Sequence, residues 1–210
     1  MNTKKLVIAL VVTWMSGMLI SGIASAADSP VAELHGFRVE YGKVKEGDWQ
    51  RMQPSLERQF EIVEKVNVPA AVLEYFRSVP VVIVPTLKTG FGHAGMDAGR
   101  QIVELKSAKL PTDRPILLHE LLHAYHGQKL GRSPAILKAY QEGVSSGMYP
   151  KDYAKAHFLE NPREYFAVIG SIFLFGEEID QPPYNCKITA KQQPEFIAFL
   201  AQNFGPHECK

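Results

Sequence analysis

His119-Glu120-Leu121-Leu122-His123-Ala124-Tyr125-His126 is the stretch that decides how this chain reads. Its first and fifth residues are histidines one helical turn apart, so on a helix their rings share a face. Two imidazole nitrogens so placed can hold two corners of a zinc tetrahedron. A glutamate beside the first histidine can take a proton from a water at the metal. The flanks favour a helix over residues 114–130. Thr112 and Asp113 offer side-chain caps, Pro115 suits a first turn, and Gly127 and Gly131 are stop signals. Leu117, Leu118, Leu121, Leu122 and Tyr125 make an apolar stripe at helical spacing, and His119, His123 and His126 fall on another face.

Ahead of this helix the pattern gives a strand over residues 36–44 and helices over 54–66 and 69–77. A buried β-branched strand over 79–84 follows. Residues 88–100 hold four glycines and read as a loop, with a short strand after them at 101–106. Helices are expected at 134–146, 162–176 and 193–203. A few strands followed by a mostly helical half make the expected class α+β.

The ends and the composition restrict the function. Lys4 and Lys5, the apolar residues 6–23 and Ala24-Ser25-Ala26 read as a cleaved signal peptide over residues 1–26. The expected mature chain is one domain, residues 27–210, exported to the periplasm or beyond the cell, with no stable membrane anchor after cleavage and no folded propeptide. Cys186 and Cys209 can close one disulfide in an oxidising compartment, or stay as thiols. Twenty-three basic against 22 acidic residues give a net charge of +1. No basic stripe interleaved with aromatics is present, which argues against a nucleic-acid partner.

A catalytic zinc ordinarily takes three protein ligands. The extended motif with a third histidine fails here, because Lys129 stands at that position and His126 where its glycine should be. Glu164, in Asn161-Pro162-Arg163-Glu164-Tyr165-Phe166-Ala167, is the leading third ligand. It has a structural alternative: Asn161 can cap the helix, Pro162 can open it, and Glu164 then sits where a capping-box carboxylate reaches back. Ala167, Val168 and Ser171 share its stripe, and mostly small residues there permit close approach to another helix.

The two motifs in this order resemble the gluzincin-type zinc peptidases. The nearest likeness is to bacterial and fungal secreted metallopeptidases with H-E-x-x-H-A-Y-H and N-P-x-E-Y-F-A-E motifs. A more distant one is to the anthrax lethal factor catalytic domain and the Pro-Pro endopeptidases. The resemblance spans about residues 90–176. It implies a zincin-like fold and one catalytic Zn2+ on His119, His123 and Glu164. It also implies Glu120 as general base, a peptide or protein substrate, and residues 101–106 as the strand that receives it. Two positions depart from the pattern. His157 stands where relatives place a tyrosine that steadies the oxyanion, and an imidazole N–H can take over that role. Val168 stands where relatives place a glutamate that orients a zinc histidine. Tyr149 and Tyr153 are reserve oxyanion donors, and Glu142 reads as a solvated acid with a reserve role as partner for a metal histidine. His93 reads as a loop residue, Glu160 as a solvated acid, and His126 as a neighbour of the site or a packed histidine. The two departures motivate the alternative function, a zincin-scaffold binding protein with little or no turnover.

Overall fold

A computed structural model describes residues 30–175 and 186–208. The expected signal peptide and Cys209 lie outside the described residues, as does the Cys186 side chain, and with them any disulfide.

The class is α+β, as expected: a five-stranded sheet followed by a helical half. The strands are β1 (Val31–Leu34), β2 (Phe37–Glu40), β3 (Val81–Val84), β4 (Gly92–Asp97) and β5 (Arg100–Lys106). Their spatial order is β1-β2-β3-β5-β4. β2, β3 and β5 run parallel, while β1 and β4 pair antiparallel on the two outer sides. Between β2 and β3 the chain forms α1 (Glu46–Lys65) and α2 (Ala70–Ser78). The helical half comprises α3 (Ile116–Tyr125), α4 (Pro134–Ser145), α5 (Pro162–Phe175), α6 (Cys186–Gln192) and α7 (Pro194–Phe204).

Period-two alternation sets the sheet's inner face. Phe37, Val39, Val81, Ile83, Val103 and Leu105 all point into the main core with no exposed surface. Val82, Val84 and Ile102 form a smaller cluster on the opposite face. The four leucines of the α3 stripe are fully buried. α5 packs beside α3, closely enough that a Cβ added at Gly170 would stand 3.3 Å from a Leu122 methyl.

Two expectations are corrected here. The strand expected over residues 36–44 is the shorter β2, and it is the second arm of a hairpin with the unanticipated β1, turned through His35 and Gly36, both at positive φ. The helix expected from residue 54 begins at Glu46 and carries Pro54 in its interior. Proline removes one backbone donor and argues locally for a helix start. Burial overrides it: Trp49, Met52, Leu56, Phe60 and Val63 repeat at helical spacing and all enter the core. α6 was not anticipated. α3 stops at Tyr125, and residues His126–Leu130 continue it as one π-helical turn.

Gln59, buried on α1, ties the start of α3 in place. Its Nε2 donates to the carbonyls of Pro111 and Arg114 at 2.6 and 2.8 Å, and its Oε1 accepts from the Leu117 N–H at 3.0 Å. The first N–H groups of a helix have no partner within it, and here one is satisfied from another helix. Gln59→Ala should therefore destabilise the protein by roughly 2–4 kcal/mol, because three backbone groups lose their partner away from water. Urea unfolding checks this; an unchanged midpoint would show that the segment before α3 is held by other means.

Candidate metal centre

α3 and α5 bring three ligand atoms to one point. His119 Nε2 and His123 Nε2 stand 3.1 Å apart. Glu164 Oε2 lies 3.0 Å from the His123 nitrogen and 3.5 Å from that of His119. Ligands of a tetrahedral zinc with bonds of about 2.0 Å stand about 3.3 Å apart, so this triangle has the dimensions of one face of such a site. Two imidazoles and a carboxylate are also a donor set suited to zinc. The residues present fit the metal.

Glu164 reaches the cluster because it is not needed as a cap. Asn161 Oδ1 accepts from the backbone N–H of Arg163 at 2.9 Å and of Glu164 at 3.1 Å, which caps α5 by itself. The Glu164 carboxylate is free to turn to α3. Burial opposes its charge, but hydrogen bonds with His119 and His123 hold the carboxyl well below the usual carboxylate range. Burial in turn lowers the His123 imidazole, despite the pull of Glu164.

His157, on a short 3-10 turn (His157–Leu159), joins the same group. Its Nε2 lies 2.9 Å from Glu164 Oε2 and its Nδ1 3.1 Å from Glu160 Oε1. Burial works against its protonation, yet the hydrogen bond to Glu160 and the charge of Glu164 raise it above the ordinary histidine value. His119, His157 and Glu164 form one candidate metal-holding group, and His119, Glu120 and His123 another.

Glu120 is buried beside the histidines. Its carboxyl is pushed up by burial, with the nearby His119 offsetting part of the effect. β4 lies against it: a Cβ built on Gly92 would fall 2.6 Å from Glu120 Cγ and 2.7 Å from its Oε1. Only glycine lets the strand come this close. The glycine-rich segment 88–100 is thus largely a hairpin rather than a loop. Ala98 and Gly99 make its two-residue turn at positive φ, and Asp97 pairs with Arg100. The edge position expected for the strand at 101–106 is corrected with it. β5 is interior, between β3 and β4, and β4 is the outermost strand beside the site. β4, α3, α5 and the turn carrying His157 border a cleft of about 630 Å³, lined by Gly92, His93, His119, Glu120, His157 and Glu164 among others.

The remaining candidates are distributed as follows. His93 is on β4 and borders the cleft. His126 is buried against Phe166, 5.1 Å between ring centroids, and does not border the cleft. The Tyr149 hydroxyl pairs with that of Tyr165 at 3.0 Å in the core, and Tyr153 packs against the core from outside. Neither tyrosine borders the cleft. Glu142 pairs with Lys138 on the α4 surface, away from His119, His123 and Glu164. Val168 lines the cleft one turn beyond Glu164, and the buried Nδ1 of His123 has no hydrogen-bond partner among the described residues. Glu160 is exposed, as expected of a solvated acid, and it also pairs with His157. Its only signal in the sequence is its place three residues after His157, one turn on.

Scans of the chain against family models and against curated proteins found no match. Among solved structures, the chain is similar to the Pro-Pro endopeptidase PPEP-2 from Paenibacillus alvei. The likeness has 16% sequence identity and a TM-score of 0.45, over 78% of this chain and 96% of that one.

Proposed function

We propose that the chain is an exported zinc metallopeptidase that hydrolyses peptide bonds. The observation that carries this reading is the triangle of His119, His123 and Glu164 ligand atoms, with the buried Glu120 carboxylate beside it in an open cleft. A zinc ion on that triangle would polarise the scissile carbonyl and make a water more acidic.

The chain's own groups do the rest. Glu120 accepts the proton of the attacking water and passes it to the leaving amine. A carboxyl raised by burial is suited to both halves of that task. His157 donates an N–H to the developing oxyanion. An extended substrate adds to the free side of β4 by backbone hydrogen bonds, which sets the scissile bond above α3. Export rests on residues 1–26 and the twin alanines of the cleavage site.

The test is metal content of the purified protein together with cleavage of a peptide library. About one zinc per chain is expected. Cleavage should stop on chelation and return with zinc. A chain that holds no zinc after reconstitution would sink the proposal. A second reading, a zinc-holding binding protein without turnover, is favoured by the unpartnered Nδ1 of His123 and by Val168. Loss of such a partner weakens metal binding or activity by about 10–100-fold. Stoichiometric zinc with no cleavage of any library member would select that reading.

Gly92→Ala probes the placement of Glu120. The added methyl meets the carboxylate-bearing chain at under 3 Å, so strand or side chain must move. Turnover should fall by roughly 10–100-fold with zinc content kept, as displacements of about 1 Å do elsewhere. Wild-type turnover in this variant would show that the close approach has no catalytic consequence.

A further inference from the structure

Three imidazole nitrogens surround one carboxylate oxygen that borders the cleft. Glu164 Oε2 has His157 Nε2 at 2.9 Å, His123 Nε2 at 3.0 Å and His119 Nε2 at 3.5 Å. One carboxylate oxygen has two lone pairs, so three imidazoles cannot all donate to it. The nitrogens of His119 and His123 also face each other at 3.1 Å, where at most one can donate. The arrangement is satisfied if lone pairs, rather than protons, point inward from the imidazoles onto a shared cation.

His157 carries the clearest mark of a metal-bound imidazole. Such a ring ordinarily donates its far N–H to a carboxylate, which fixes the tautomer and directs the other lone pair at the metal. His157 has that partner in Glu160, 3.1 Å from its Nδ1. His123 does not, since its buried Nδ1 lacks one. With its proton on Nδ1, toward Glu160, the Nε2 lone pair of His157 would face the ionised Glu164 oxygen at 2.9 Å. A cation between the two removes that repulsion.

We propose that His157 is a fourth protein ligand of the metal in the resting site, held in its tautomer by Glu160. This rests on the metal-centre reading above and extends it: the resting shell is three histidines and one glutamate. Substrate binding then requires His157 to yield its place. A side chain 56% exposed on a three-residue turn can do so without unpacking the core. Once displaced, its exposed Nε2 takes up a proton from solvent water, and the new N–H is positioned beside the scissile carbonyl, where the oxyanion develops. Among the described residues, the combination of a carboxylate partner, exposure and proximity to the ligand triangle is unique to His157.

The test is X-ray absorption at the zinc edge of the loaded protein, with zinc affinity from chelator competition. Three imidazoles at zinc are expected in the wild type and two in His157→Ala, whose affinity should fall by about 10–100-fold or more. Glu160→Gln should retain three imidazoles and weaken affinity by up to about tenfold. Two imidazoles in the wild type, or a spectrum and affinity indifferent to His157→Ala, would overturn the proposal while leaving His119, His123 and Glu164 as the site. Zinc retention that also ignores His119→Ala and Glu164→Ala would instead remove the metal centre itself, and this inference with it.

Discussion

Glu120→Gln should keep about one zinc per chain and lower turnover by roughly 10²–10⁴-fold, the range general acid–base groups contribute. The substitution preserves size and shape. That matters because Glu120 is buried beneath Gly92, where a smaller residue would open a cavity and a larger one would displace β4. What the amide loses is the capacity to take and return a proton. Its carbonyl can still accept a hydrogen bond and its volume still supports the strand, so binding of an extended substrate should survive and the loss should fall on kcat. Equal zinc, equal melting temperature and lost kcat together would assign Glu120 as the base. Because Glu120 also forms a candidate metal-holding group with His119 and His123, a second outcome is informative. Loss of zinc in Glu120→Gln would make Glu120 a ligand and leave the proton-transfer role without an owner.

The second large effect is on the metal. Glu164→Ala should weaken zinc binding by well over about 100-fold, since losing even an orienting partner costs about 10–100-fold. The fold should stand, because α5 is capped by Asn161 and not by Glu164. The complementary variant makes the distinction sharp. Asn161→Ala removes the cap and should cost about 1 kcal/mol of stability with zinc retained. Chelator competition and thermal melting of the two variants would therefore move in opposite columns. If Glu164→Ala holds zinc as tightly as the wild type, the glutamate is a helix-end residue and the third ligand lies elsewhere.

Much of the site was legible because it is local. Positions 119 and 123 are four apart on a helix, and no tertiary contact is needed to align their rings. Asn161-Pro162 marks a helix start by chemistry confined to one turn. Glu164 was only half legible, since a capping box and a metal ligand look alike in sequence. The choice depends on where α3 lies, and α5 lies close enough to it that a Cβ at Gly170 would meet a Leu122 methyl at 3.3 Å.

The failures share one cause. The segment 88–100 was misread because glycine is scored by its own flexibility, whereas Gly92 and Gly99 answer separate demands. Gly92 answers to a carboxylate 28 positions away in sequence, and Gly99 to the turn of a hairpin. Pro54 signals a helix start because its local cost is visible in the sequence and the burial of Trp49 and Met52 is not. Gln59 and Glu160 carry no motif, and their roles exist only as contacts with α3 and His157.

The sequence by itself determined the α+β class, the helix that presents His119 and His123, and the order of the motifs, because each follows from periodicity and from hydrogen bonding within a few residues. Only the tertiary structure decided that Glu164 turns to those histidines, that His157 and Glu160 stand beside them, and that β4 rather than β5 borders the cleft. Those placements depend on distances between segments far apart in the chain, which are set by how the apolar faces of the sheet, α3 and α5 bury one another.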